Sequence, residues 1–210
     1  MINLDIEKYI QANILPKYNS FDKGHLIDHA ETVISNSLKI AVDYNVNIDM
    51  VYVIAAYHDT GLALGRKDHE KNSALALLAD CKLQKWFSSE ELAIMAEAVE
   101  DHRASNNYEP RSIYGKIISE SDRNIDYITI LTRTIHYSIS NYPDYTAEQH
   151  YRRSIEHIKE KYCDGGYLTL WLDTELNKSK LVELRNAVAD EARFNADFAA
   201  LFEECKKEYN

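Results

Sequence analysis

The sequence has little glycine and proline, with 6 and 3 residues respectively in a chain of 210. These two residue types form the tight turns between short strands, so their scarcity argues against an all-β fold. Alanine, leucine, glutamate, lysine and isoleucine are abundant instead. The composition therefore predicts an all-α protein, and the length is sufficient to bury a hydrophobic core.

Cysteine is also scarce, and long apolar segments are absent from the sequence. Cys81, Cys163 and Cys205 are odd in number and far apart, which argues against a disulfide framework and against a thiolate metal site. No apolar run is long enough to span a bilayer, and the N-terminal residues do not form an uninterrupted hydrophobic segment. We therefore expect a cytoplasmic protein that does not insert into a membrane.

A dense run of lysine and arginine is missing as well. The formal net charge is −10 and the sequence pI is about 5.3, so the overall field repels polyanions. We expect no long nucleic acid as a partner. A small phosphorylated substrate remains compatible with this charge, because bound divalent cations can reverse the local potential of a pocket. The sequence makes no prediction of the oligomeric state.

Apolar residues recur at the spacing of an α-helix along most of the chain. Asp22 can cap one helix, and two capping boxes mark further helix starts, Ser88 with Glu91 and Thr146 with Gln149. The predicted helices cover approximately 5–15, 23–41, 49–58, 68–79, 88–102, 112 to at least 125, 146–161 and 179–208.

The pair His58-Asp59 stands at the end of the third predicted helix, where His58 continues an apolar stripe. Adjacent imidazole and carboxylate groups can bind one divalent cation, although a histidine on an apolar stripe is more often a core residue. The other candidate ligands lie on or at the start of separate predicted helices: His29, His69, His102 and Asp122. A helix bundle can project such side chains toward a common point, so the six residues predict a site for one or two cations.

From about Lys23 to Asp126, the sequence resembles the HD-domain superfamily of metal-dependent phosphohydrolases. The resemblance is carried by the segments HLIDHAETV, AAYHDTG, DHEKNSA, AVEDHR and SESDRNID. It implies an HD-domain helical bundle at about 23–126 with a helical extension at about 127–210, which we expect to form a single domain over 1–210.

The resemblance also implies a set of metal ligands, His29, His58, Asp59 and Asp122. His69 and His102 stand where binuclear members of the superfamily have further histidines that bind a second metal. Members with one metal use such histidines for substrate binding or proton transfer instead. The cofactor is then one or two divalent ions, and Mn, Fe, Mg, Co, Ni and Zn are all candidates.

The expected activity is hydrolysis of a small phosphoester, with a nucleotide as one candidate, by water whose pKa the metal lowers from about 15.7 toward about 7. Asp59, Arg66 and Arg123 are the candidate catalytic residues. The candidate substrate-binding residues are His25, Arg66, Lys67, Arg103 and Arg123. For each of the four cations, a solvated surface position is the alternative.

Two other functions are open at this point. Some HD-type sites hold two irons and carry out oxygen-dependent oxidation, which His69 and His102 would permit. A non-catalytic helical domain that binds metal or nucleotide is the third hypothesis. Outside the matching segments, three cations approach the stretch KYCDGGYLTLWL, namely Arg152, Arg153 and Lys161. This stretch either shapes a pocket wall or is an ordinary turn.

Overall fold

A computed structural model gives the fold and describes residues 1–21, 25–103, 106, 108–123 and 125–209. Within these ranges the secondary structure consists of ten α-helices and three short 3-10 segments, with no strand. The all-α prediction is confirmed. The predicted cap Asp22 and the predicted start of the core at Lys23 lie outside the described residues.

The chain divides into two compact units, Met1–Arg123 and Asn124–Asn210. The first unit includes nearly all of the predicted core, and the second includes the predicted extension. The helices of the first unit are α1 Leu4–Asn13, α2 Ile27–Ala41, α3 Ile48–Tyr57, α4 His69–Ala79, α5 Ser89–Asp101 and α6 Ile113–Ser121. Its 3-10 segments are Leu15–Ser20, Thr60–Leu64 and Leu83–Lys85.

The central helix of the first unit is α3. Every residue from Met50 to Tyr57 is buried, and α3 contacts α1, α2, α4, α5 and α6. A helix that is apolar around its whole circumference is typical of a protein interior. The C-terminal end of α3, where His58 and Asp59 follow, therefore lies inside this unit.

The connection between α5 and α6 is fixed by an ion pair between the buried carboxylate of Asp101 and the exposed guanidinium of Arg111. Asp101 accepts hydrogen bonds from the backbone N–H of Arg111 at 2.7 Å and from its guanidinium Nε and Nη2 at 3.0 and 2.7 Å. Such a charge-assisted, bidentate contact holds both partners in one orientation. It sets the start of α6 against the end of α5, and so helps to determine where Asp122 lies at the other end of α6.

The capping boxes predicted at Ser88 and Thr146 are confirmed. The Ser88 hydroxyl accepts a hydrogen bond from the Glu91 N–H at 3.2 Å, and the Glu91 carboxylate accepts one from the Ser88 N–H at 2.8 Å. Thr146 and Gln149 make the same reciprocal pair at 3.3 and 2.8 Å. These contacts satisfy backbone donors that a helix start would otherwise leave free.

The predicted continuation of a helix through Asp122 to residue 125 is wrong. Instead, α6 ends at Ser121 and a new helix begins at Tyr127. Asp126 has extended backbone angles, and its side chain accepts a hydrogen bond from the Thr129 N–H at 2.8 Å. Its carboxylate thus caps a separate helix, and apolar periodicity does not detect such a break.

The predicted single helix over 179–208 is also wrong. Two helices occupy this stretch, because Asp190 leaves the helical backbone conformation and accepts a hydrogen bond from the Arg193 N–H at 3.0 Å. The second unit therefore consists of α7 Tyr127–Asn141, α8 Ala147–Tyr162, α9 Glu175–Ala189 and α10 Glu191–Lys207. Its core includes Leu131, Ile135, Ile158, Leu184 and Phe194.

The three cysteines are free thiols, with Cys81 exposed and Cys205 buried. Among the described residues, no helix combines the length and the apolar character needed to cross a membrane.

Gly61, in the 3-10 segment after α3, lies against the backbone of α4. A Cβ atom added there would lie 2.2 Å from the His69 carbonyl oxygen and 2.5 Å from the Ser73 nitrogen. Because backbone cannot give way as a flexible side chain can, we predict that Gly61→Ala lowers the free energy of unfolding by about 3 kcal/mol or more, measured by urea denaturation.

Gly65→Ala is the matched control, since Gly65 has a φ of 101° but a Cβ atom added there would meet no atom within 4 Å. That variant should lose only about 1–2 kcal/mol through backbone strain. A loss for Gly61→Ala no larger than that of the control would contradict the close packing described.

Candidate metal centre

The two residues after α3 form the centre of the site. His58 is completely buried, and Asp59 is 3% exposed. An ionised carboxylate in such a position is costly unless opposite charges or hydrogen-bond donors surround it. The neighbours of Asp59 therefore determine what the site can do.

Asp59 lies between two groups of imidazoles. Its Oδ2 is 3.2 Å from His58 Nε2 and 3.5 Å from His29 Nε2. Its Oδ1 is 3.3 Å from His69 Nε2 and 3.5 Å from His102 Nε2. In each group the three ligand atoms lie within 4.8 Å of one another. One carboxylate thus faces two sets of potential metal ligands, one for each oxygen.

Asp122 lies beside the group formed by His29, His58 and Asp59. Directly after the last residue of α6, it places Oδ1 3.2 Å from His29 Nε2 and 3.9 Å from His58 Nε2. His29, on α2, has its Nε2 3.2 Å from that of His58. The structure therefore brings together all six side chains that the sequence proposed as ligands.

Three of these histidines are oriented in the same way by backbone carbonyl groups. Each directs its Nδ1 at the carbonyl oxygen three residues earlier: His58 at Ala55 (2.8 Å), His69 at Arg66 (3.1 Å) and His102 at Val99 (2.6 Å). An N–H donated to that carbonyl assigns the hydrogen to Nδ1 and leaves a lone pair on Nε2 of the neutral ring. In that neutral form, which a cation would require, the Nε2 lone pairs of these rings face the oxygens of Asp59.

This arrangement fits a divalent cation. Lone pairs of nitrogen and oxygen that face each other at 3.2 to 3.5 Å repel unless a proton or a cation lies between them. Ligand atoms about 2.1 Å from one cation lie about 3.0–3.5 Å apart at octahedral or tetrahedral angles. Mixed imidazole and carboxylate ligands suit Mn²⁺, Fe²⁺, Co²⁺, Ni²⁺ and Zn²⁺.

In the absence of a cation, the carboxylates and imidazoles shift one another's pKa values. Burial acts to lower the pKa of His29, but hydrogen bonds to Asp122 and Asp59 outweigh it and raise this pKa to about 9. Burial acts to raise the pKa of Asp59, but attraction to His58 and hydrogen bonds from His102 and His29 lower it overall. Protons on the imidazoles thus balance the carboxylates, and a bound cation has to displace them.

Tyr18 supports the site from the 3-10 segment before α2. Its buried hydroxyl donates to the Ala56 carbonyl at 3.0 Å and accepts from the Asp59 N–H at 3.3 Å. Burial, followed by the negative charge of Asp59, raises the pKa of Tyr18 well above its ordinary value, so the hydroxyl remains a donor. Sequence reasoning missed this residue, because it precedes the motif segments and its partners are distant in sequence.

His25 and Arg66, two predicted substrate-binding residues, lie next to each other. The Arg66 Nη2 atom is 3.3 Å from His25 Nδ1, and the ring of His25 is centred 5.5 Å from that of His29. Arg66 and Lys67 are exposed. The pair of His25 and Arg66 therefore lies beside the candidate ligand His29, and the guanidinium of Arg66 is accessible to solvent.

Arg103 and Arg123 contact glutamates instead. The exposed Arg103 has its Nη1 3.4 Å from the Glu70 carboxylate, which also lies 3.4 Å from His69 Nδ1. Arg123 is buried, with Nε 3.5 Å from the buried carboxylate of Glu120. Sequence reasoning missed both glutamates, because nothing in the local pattern separates them from ordinary acidic residues of a helix.

Compared with models of known protein families, residues 26–124 match the HD domain. This range contains all six candidate ligands. No match to the chain was found among curated proteins or among solved structures.

We predict that the chain binds two divalent cations, because each oxygen of Asp59 has its own group of imidazoles. His69→Ala should retain the His29 group and bind one ion, whereas Asp59→Ala, which removes a ligand from both groups, should bind neither tightly. Mass-spectrometric metal analysis after equilibrium dialysis against Mn²⁺ measures the stoichiometry. His136→Ala, a variant of a second-unit histidine, is the control, and two ions bound by Asp59→Ala would contradict the assignment.

Metal affinity should also depend on pH. Since His29 has a pKa of about 9 in the metal-free protein, a proton occupies it at neutral pH and competes with the cation. We expect Mn²⁺ affinity to increase as the pH is raised from 6.5 toward 9, with protons released on binding. Calorimetry in buffers of different ionisation enthalpy measures that release, and an affinity unchanged over this range would disprove the competition.

Proposed function

Since residues 26–124 form an HD domain, we propose that the chain is a metal-dependent phosphohydrolase that acts on a small phosphoester, with a nucleotide as one candidate substrate. HD domains belong generally to metal-dependent hydrolases. The observation that carries the proposal is the position of Asp59, with each of its carboxylate oxygens facing a separate group of imidazoles.

In this proposal, His29, His58, Asp59 and Asp122 hold one cation, and Asp59 shares its second oxygen with the group of His69 and His102. Divalent cations bound at such a site lower the pKa of water and take up negative charge on phosphoryl oxygens. The fixed orientation of His58, His69 and His102 means that little reorganisation is needed when the ligands are used.

His25 and Arg66 supply the substrate contacts in this proposal. Their side chains lie beside His29, and the Arg66 guanidinium is exposed, so it can approach phosphate oxygens with two parallel N–H groups. The Arg66 carbonyl also orients His69. Lys67, the next residue, is exposed and adds a second positive charge close to the site.

We assign different roles to Arg103 and Arg123, because glutamates already neutralise their charges. Arg103 holds Glu70, which lies against His69. Arg123 is buried with Glu120 next to Asp122, so its contact with Glu120 fixes the end of α6. Both act as positioning residues in this proposal.

The proposal predicts release of phosphate from a panel of nucleotides and generic phosphoesters when Mn²⁺, Mg²⁺, Co²⁺ or Ni²⁺ is added. Chelation should abolish the activity. Asp59→Ala should lower kcat/KM by about 10²-fold or more, because it removes a ligand from both groups. Arg66→Gln should mainly raise KM, since its role is substrate binding.

Asp43→Ala is the control, because Asp43 is an exposed carboxylate beyond the end of α2. It should retain the activity of the unmodified protein. Hydrolysis that is indifferent both to chelation and to Asp59→Ala would show that the site described is not the source of the activity. Tight metal-dependent nucleotide binding without turnover would instead favour a non-catalytic binding domain.

An oxygen-dependent di-iron oxidase is the second candidate, because His69 and His102 complete a second group of ligands on Asp59. The two functions differ in redox chemistry. Protein purified anaerobically with Fe²⁺ should consume oxygen and change its visible absorption on exposure to air if it is an oxidase. Phosphate release with a redox-silent ion such as Mg²⁺ would favour hydrolysis.

A further inference from the structure

The second unit contains a cavity of about 480 Å³ between α7 and α8. Its lining includes Arg133 from α7 and Arg153, His157 and Lys161 from α8, and we call it the basic cavity. No aspartate or glutamate is among its described lining residues. Its volume is that of a site for a small organic molecule, and none of the six candidate metal ligands is among its lining residues.

The basic cavity is positively charged, whereas the chain as a whole has a formal net charge of −10. Among the described residues, Arg133 and Arg153 have no ion-pair partner, whereas the neighbouring Arg152 has its Nε 2.8 Å from the Glu148 carboxylate. Like charges held close together repel, and a small anion between them would relieve that repulsion.

Arg153 is held in place by aromatic rings. Its guanidinium carbon lies 4.7 Å from the ring centre of Tyr137 and 5.0 Å from that of Tyr142. Cation–π contacts with two rings restrict the position of the guanidinium. Its Nη1 atom is buried and has no hydrogen-bond partner among the described residues. A buried donor without an acceptor is unfavourable, so this geometry favours an acceptor atom from a ligand.

The positive charges of the basic cavity also affect the pKa of His157. Burial lowers its pKa, and the positive charges of Arg153 and Lys161 lower it further, while Glu160 acts in the opposite direction. The imidazole is therefore neutral at pH 7 and can donate or accept a hydrogen bond. The cavity thus combines fixed cations with a neutral polar ring.

We propose that the basic cavity binds a small molecule through a phosphate or polyphosphate group. Its cations come from two helices, Arg133 from α7 and Arg153 and Lys161 from α8. A tetrahedral phosphate has oxygens directed to several sides, whereas a carboxylate has two oxygens in one plane. Two or three positive charges also match the charge of a polyphosphate better than that of a single carboxylate.

The test uses the full chain, stripped of metal with a chelator and then transferred to chelator-free buffer, so that cations at the Asp59 site do not hold the probe. Isothermal titration calorimetry with inorganic triphosphate at 150 mM salt should show saturable binding. Arg133→Gln and Arg153→Gln should each weaken it by about tenfold or more. Arg152→Gln, which removes the same charge from an exposed position on α8, should weaken it less than twofold.

Two further variants keep the result interpretable. Asp59→Asn should bind triphosphate as the unmodified protein does, because the basic cavity uses residues of the second unit. Arg133 is exposed, so Arg133→Gln tests the cavity even if Arg153→Gln loses stability with its ring contacts. Thermal unfolding of each variant identifies such a loss.

The identity of the probe distinguishes the sources of the phosphate. Equal affinity for inorganic triphosphate and nucleoside triphosphates would show that the phosphate chain alone is recognised. Tenfold tighter binding of a nucleotide would show that the base is recognised as well. Either result supports the proposal. Citrate binding as tightly as triphosphate would overturn the assignment to phosphate. No saturable binding, or equal effects of Arg133→Gln and Arg152→Gln, would overturn the site itself.

Discussion

The buried carboxylate of Asp59 is the constraint on which the first unit depends. A negative charge that is 3% exposed costs several kcal/mol unless its surroundings compensate for it, and here four imidazoles do so. They come from α2, from the end of α3, from the start of α4 and from the end of α5. The packing of these four helices therefore determines whether the charge of Asp59 is compensated. A shift of any one helix would leave part of the carboxylate without a partner.

Helix ends make this compensation possible. A helix leaves its last carbonyl groups without partners inside the helix. His58 and His102 follow directly after α3 and α5, and each directs Nδ1 at one of these carbonyls. The backbone thereby fixes the ring without a second charged residue. Since α3 is buried on all sides, its end delivers His58 and Asp59 to the interior rather than to the surface.

Most of this arrangement could be predicted from the sequence, because it depends on local patterns. Helical periodicity and capping boxes gave the fold class and most helices, and the motif segments gave six side chains that the structure brings together. The breaks at Asp126 and Asp190 were missed, because apolar spacing continues across a residue whose carboxylate caps the next helix. Tyr18 was missed because its contact with Asp59 joins residues far apart in sequence. Glu70 was missed for the same reason, since it contacts Arg103, and because only packing determines how it is oriented toward its neighbour His69.

The same physical device recurs in the basic cavity with the opposite charge. In the first unit, neutral carbonyls orient imidazoles around a carboxylate, and in the second, the neutral rings of Tyr137 and Tyr142 orient the guanidinium of Arg153. Net charge predicts neither site. The charge of −10 is spread over the whole chain, whereas each site depends on short-range contacts that hold one group in place. What makes a polar group available to a ligand is a neutral neighbour that fixes its orientation without satisfying its charge.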